Sequence, residues 1–127
     1  MPVPPTPEEY AKGQIQELLK AYCAAYEAMN PEAVQRLYPK VNMAALKIQL
    51  NRSKYRSVQC KVGDKVEYLA LDAPGGKARI QAEVKRVFEH TIFTEKPQKD
   101  EMVATLNLVR PGDRTPWQIE LAEIRPK

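Results

Sequence analysis

Few side chains in this sequence combine reactivity with a setting in which chemistry could use it. Tyr22 and Tyr26 stand four residues apart inside an apolar helical pattern, so their phenols share one helix face. Arg86 and His90 interrupt the apolar parity of the stretch from Lys77 to Phe93, on which Ala78, Ile80, Ala82, Val84, Phe88 and Ile92 also fall. A cation, an imidazole and two phenols, with Phe88 and Trp117 as apolar wall, would suit a small apolar, anionic or carbonyl-bearing ligand. Each of these residues also has a plain structural role open to it. Tyrosines on a helix stripe commonly pack in the core with the hydroxyl at its rim. An arginine on an inward parity commonly meets a carboxylate. His90, near a strand end, is expected to be exposed.

Several classes of function fall away. One histidine gives no metal-ligand spacing, and no metal or cofactor is expected. Serine-nucleophile motifs are absent, and Gly75-Gly76 reads as a turn pair and not a phosphate-cradling loop. The net charge is +4, but lysines and arginines are spread along the chain with no basic run, so no nucleic-acid partner is expected. No apolar run approaches the roughly 18 residues of a membrane span, and direct membrane contact is not expected. The start, MPVPPTPEE, lacks the basic and apolar segments of a signal peptide. Cys23 and Cys60 have neither CxxC nor Cys/His spacing and sit in apolar patterns, which favours buried free thiols.

The elements that must position these residues follow from period and punctuation. Residues 1–7 hold four prolines and read as a stiff linker or tail, with a single domain expected over residues 8–125. Thr6-Pro7-Glu8-Glu9 starts a helix that runs to about Met29, with Ile15, Leu18, Leu19, Tyr22, Tyr26 and Met29 as its buried stripe. Asn30-Pro31 starts a second, short helix that Pro39 stops, and Asn42 caps a third from Met43 to about Asn51, with Ala45, Leu46 and Leu50 facing in. From Tyr55 the period becomes two. A strand through Val58, Cys60 and Val62 is expected to break at Gly63-Asp64 before a second run, Val66–Leu71. The long stretch Lys77–Phe93 follows a glycine turn, then an apolar strand over Met102–Val109, a turn at Pro111-Gly112-Asp113, a last strand around Trp117–Ala122, and a tail at Arg125–Lys127.

Short polar turns between successive strands predict antiparallel pairing, so the class is α+β, with three N-terminal helices packed on a bent antiparallel sheet. At about 3.3 Å per residue the Lys77–Phe93 stretch would reach roughly 55 Å if straight. A domain of this size has a radius of gyration of roughly 14 Å. The strand must therefore bend, and a bulge is expected between Arg86 and Thr91, where alternation is least clean. Leu69, Leu71, Val87, Val103 and Val109 fall on a parity expected to face outward, the kind of surface that receives a partner.

The opening IQELLKAYCAAYEAMNPEAVQRLYP and the ending LNLVRPGDRTPWQIELAEI resemble the nuclear transport factor 2-like superfamily, which includes the ketosteroid isomerase and SnoaL-like cones. The version here is most similar to small domains appended to bacterial serine/threonine kinases. The resemblance implies a cone-shaped fold whose helices close one end of a concave sheet, and a homodimer formed through the sheet face. It also implies a non-catalytic ligand-binding, dimerisation or sensor module, extracytoplasmic if appended to a kinase and otherwise cytoplasmic. The alternative is a small isomerase- or dehydratase-like pocket enzyme using Tyr26 with Arg86 or His90. Against that alternative, ketosteroid isomerase-like catalysis needs a proton-shuttling carboxylate, and Leu37–Asn42 contains no acid.

Overall fold

The computed structural model describes residues 6–92, 94–112 and 116–126, with the side chain of Asp64 left aside. Residues 1–5 of the expected linker, Phe93, Asp113 of the expected turn and Lys127 of the expected tail lie outside the described residues. Three helices, α1 (Pro7–Glu27), α2 (Pro31–Leu37) and α3 (Met43–Gln49), precede four strands, β1 (Tyr55–Asp72), β2 (Lys77–His90), β3 (Gln98–Val109) and β4 (Gln118–Pro126). The strands form one antiparallel sheet in the order β1-β2-β3-β4. The α+β architecture read from the sequence is the one observed.

All three helix starts use the residues that their chemistry selects. Thr6 accepts from the backbone of Glu9 at 3.2 Å while its own backbone N–H donates to the Glu9 carboxylate, a complete capping box. The Asn30 and Asn42 carboxamide oxygens accept from Ala33 and Ala45 at 3.2 and 3.1 Å. α1 ends where Met29 takes a left-handed φ of 53° and the next amide folds back to Ala25. Ala45, expected to face in, is exposed; Leu46 and Leu50 are the buried residues at this end.

Curvature enters through β1. Pairs on the β2–β3 side run without a shift from Lys77↔Val109 to Phe88↔Gln98. On the β1–β2 side the register shifts three times, at Tyr55/Ser57, Val62/Val66 and Tyr68/Ala70, and each time the extra residues belong to β1. The expected bulge in β2 between Arg86 and Thr91 is therefore absent. Its partner strand bends instead, because an edge strand can carry unpaired residues with one set of hydrogen bonds lost rather than two. For the same reason Gly63-Asp64 does not end a strand. It sits in the widest bulge of a continuous one, where a side chain on Gly63 would meet the Glu83 Cβ at 3.3 Å.

These shifts decide facing. β2 keeps clean alternation, with Ala78, Ile80, Ala82, Val84, Arg86 and Phe88 all buried. Leu71, expected outward, is turned inward past the Leu69 bulge and packs on the core. The residues read as a C-terminal tail pair with β3 instead, as Val103↔Arg125 and Met102↔Pro126. The core has two parts. One lies under the first turns of α1, around Ile15, Ile80, Leu108, Trp117 and Ile119; the other lies between the end of α1, α2, α3 and the Phe88 end of the sheet. Both bury side chains from helices and sheet together, which is the main favourable term in folding.

Candidate functional site

The site is built on β2, whose unbroken alternation carries Arg86 into the concave face between the two halves of the core. Arg86 is 7% exposed. A buried cation requires partners, and the fold supplies them from four elements. The Asp100 carboxylate, directly opposite on β3, accepts from Nη2 at 3.2 Å. The Gln49 carboxamide at the end of α3, with its oxygen turned to the guanidinium, accepts from Nη2 and Nη1 at 3.2 and 3.1 Å. The Met102 sulfur lies 3.4 Å from Nη2. The rings of Tyr26 on α1 and Phe88 on β2 flank the guanidinium carbon, each at 5.3 Å. Nε alone has no hydrogen-bond partner among the described residues.

Tyr22 and Tyr26 lie on α1 with their hydroxyls 3.3 Å apart and their rings edge to face at 5.0 Å. Burial above all, with the neighbouring Tyr26 hydroxyl second, pushes the Tyr22 phenol well above its usual pKa, so it stays a neutral donor. Beside them runs a slit lined by Leu19, Tyr22, Val62, Arg86, Met102 and Ile124, almost wholly apolar. It leaves about 20 Å³ for the centre of a water molecule, room for a single water.

The six residues singled out by pattern divide. Tyr22, Tyr26, Arg86 and Phe88 come together. Trp117 does not join them. It is buried under the first half of α1, its indole N–H donates to the Gln14 carboxamide at 3.1 Å, and the Arg110 guanidinium lies 5.6 Å over its ring. His90 keeps the parity of Arg86 but lies two residues beyond Phe88, at the rim. It is half-buried and not exposed as expected, stacked at 5.0 Å on Tyr55 with Nδ1 3.1 Å from the Glu95 carboxylate. Asn51, Ser53, Lys54, Thr91 and Ile92 complete a shallow depression there.

The Gln49 carboxamide escaped the sequence reading, and so did three further features. Asp100 and Glu95 fall in a stretch that reads as a polar loop. The signal for Asp100 was the hairpin register: once β2 and β3 pair symmetrically about their connection, Arg86 must face Asp100. The third is the thiol pair. Cys23 on α1 and Cys60 on β1 form a disulfide with Cα atoms 5.1 Å apart, which corrects the expectation of free thiols. Cys60 is the cross-strand neighbour of Arg86 on the other side from Asp100. Sequence spacing of 37 residues gave no hint of this, because helix docking and strand register together bring the two within reach.

No group of three or more metal-ligating side chains exists among the described residues, and no helix there is long and apolar enough to cross a membrane. No sequence-family model and no curated protein matches the chain. Solved structures do. A protein assigned as a scytalone dehydratase from Novosphingobium aromaticivorans superposes with a TM-score of 0.75 at 13% identity, over 93% of this chain and 85% of that one. A nuclear transport factor 2-like superfamily protein from Salmonella enterica serovar Typhimurium gives 0.70 at 11%, over 92% and 91%. The hexachlorocyclohexane dehydrochlorinase LinA-type3 from Novosphingobium barchaimii gives 0.66 at 9%, over 93% and 87%. At such identities the likeness speaks for backbone architecture alone: three helices on a curved antiparallel sheet, the nuclear transport factor 2-like cone fold, is the fold of this chain.

Proposed function

We propose that this chain is a non-catalytic binding and self-association module, of the kind appended to bacterial signalling proteins such as serine/threonine kinases. The observation that carries this reading is the state of Arg86. Its guanidinium is engaged by Asp100, Gln49 and two rings, and the surrounding slit is nearly filled. General acid–base catalysis needs a carboxylate or imidazole free to move a proton at a substrate atom. The carboxylate at hand is held by the guanidinium, and the imidazole sits at the rim with Glu95. The slit beside Tyr22, Tyr26 and Arg86 holds no more than a single water as it stands, so a small apolar ligand with one acceptor group would enter there only on widening it. A second copy would find its place on the outer sheet face, where Leu69 and Leu121 are 51% and 46% exposed and Val87, Val103 and Val109 are half-buried. The Cys23–Cys60 disulfide agrees with an extracytoplasmic setting, since such bonds persist in oxidising compartments.

The test is light scattering across a concentration series. The native chain is expected to dimerise, and Val103→Arg to remain monomeric with an unchanged far-ultraviolet spectrum. A native chain that stays monomeric at every concentration refutes self-association. The second reading, a small dehydratase- or isomerase-like enzyme, is favoured by the paired phenols beside an apolar slit: Tyr22 lines it and donates to Tyr26, whose own hydroxyl proton is left to donate. Proton exchange into a carbonyl substrate that persists in Val103→Arg and is lost in Tyr26→Phe would select it.

A further inference from the structure

The disulfide occupies a telling position. Cys23 lies on the α1 turn between Tyr22 and Tyr26, and Cys60 lies in register with Arg86, so the bond joins α1 to β1 on one side of the slit. Among the strands α1 lies chiefly along β1, the strand to which the bond ties it. The other flank of the helix borders the slit toward β4, where Ile124 is 49% exposed although its register with Ala104 places it on the inner face. The bond thus holds the helix along one edge, and the opposite edge is open. A chain of this length, with two buried clusters drawn from helices and sheet, has enough core to fold without a covalent staple. The bond is therefore not needed to stand in for a missing core.

We propose that Cys23–Cys60 is a redox-controlled clasp that sets how closely α1 covers the slit above Arg86. Cys60 is half-buried on the edge strand β1 and Cys23 is buried, and in this clasp Cys60 is the residue that the thiolate of a dithiol reductant attacks. Attack forms a mixed disulfide at Cys60 and expels the Cys23 thiolate, which takes up a proton. The second thiolate of the reductant then attacks its own sulfur in the mixed disulfide, closing the reductant to a disulfide and releasing Cys60, which is protonated in turn. Two electrons and two protons pass from dithiol to protein. With the tie gone, the segment around Tyr22 and Tyr26 lifts from β1 and the slit widens.

Hydrogen exchange read by mass spectrometry on the full chain, oxidised or held in excess dithiothreitol, tests this. On reduction, amides of residues 18–29 and 58–62 are expected to exchange about tenfold faster, as for a local opening, while those of β3 keep their protection. The Cys23→Ser/Cys60→Ser double variant is expected to show the fast pattern in both conditions and to retain a cooperative thermal transition. Equal exchange in both redox states would make the bond a static brace, and loss of the cooperative transition would make it a requirement of folding. Either result overturns the clasp, as would two alkylatable thiols in the purified, air-exposed protein. None of these readouts involves self-association or turnover.

Discussion

Arg86 shows how one residue can be fixed by its surroundings. A guanidinium at 7% exposure carries a large desolvation cost, and the pair with Asp100 offsets it only while both partners remain. Arg86→Ala is expected to destabilise the chain by about 3 kcal/mol, because it strands the Asp100 carboxylate beside an apolar void. Arg86→Met, which refills the volume, should cost less when paired with Asp100→Asn than alone. Urea unfolding of the three variants checks the order. Tyr22 makes a prediction about pH. Burial raises its pKa in the folded chain above the ordinary value of about 10, so the unfolded chain gives up the proton first. Above pH 10 the unfolded state therefore binds fewer protons, and stability falls as pH rises further. Tyr22→Phe, lacking that proton, is expected to flatten the alkaline limb of a stability–pH profile while leaving the neutral region nearly unmoved.

At the scale of elements, the curved sheet depends on where it places its irregularities. β1 has 18 residues against the 14 of β2, and its surplus is spread over three register shifts while β2 stays regular. That arrangement leaves Arg86 and Phe88 on one face without interruption. The turn joining the two strands is equally specific. Gly76 takes φ of 67°, and a side chain there would run into the Arg110 carbonyl. Its own carbonyl accepts from the Arg110 N–H at 2.8 Å, tying the β1–β2 turn to the end of β3. Gly76→Ala meets both the left-handed conformation and the clash, and is expected to cost roughly 2–3 kcal/mol by denaturant titration. Gly75→Ala next to it has an ordinary φ but would crowd the Asp72 carboxylate that caps its amide, a side chain that can move.

At the scale of the molecule, the helices cover the concave face, and the convex face offers apolar residues among charges. If two copies meet there, the melting temperature rises with protein concentration, and Val103→Arg removes that rise. Much of this architecture was legible in the residues. Helix starts were marked by Thr6, Asn30 and Asn42, because capping is a local hydrogen bond between residues two or three apart. The switch from helical to alternating period at Tyr55 announced the sheet, because side-chain direction repeats within a few residues in both structures. What lay hidden was everything set by register between distant segments. Alternation told that β2 has two faces, but only pairing with β1 showed that the partner bends and that Leu71 turns inward. Arg86 was visible as an odd residue on an apolar parity, whereas its carboxylate, its amide and the adjacent disulfide come from β3, α3 and α1. The sequence by itself determined the elements and their order, since those rest on near-neighbour contacts. The tertiary structure alone decided that the polar centre of the cone is an engaged ion pair beside a covalent tie, since those contacts span 14 and 37 residues of chain.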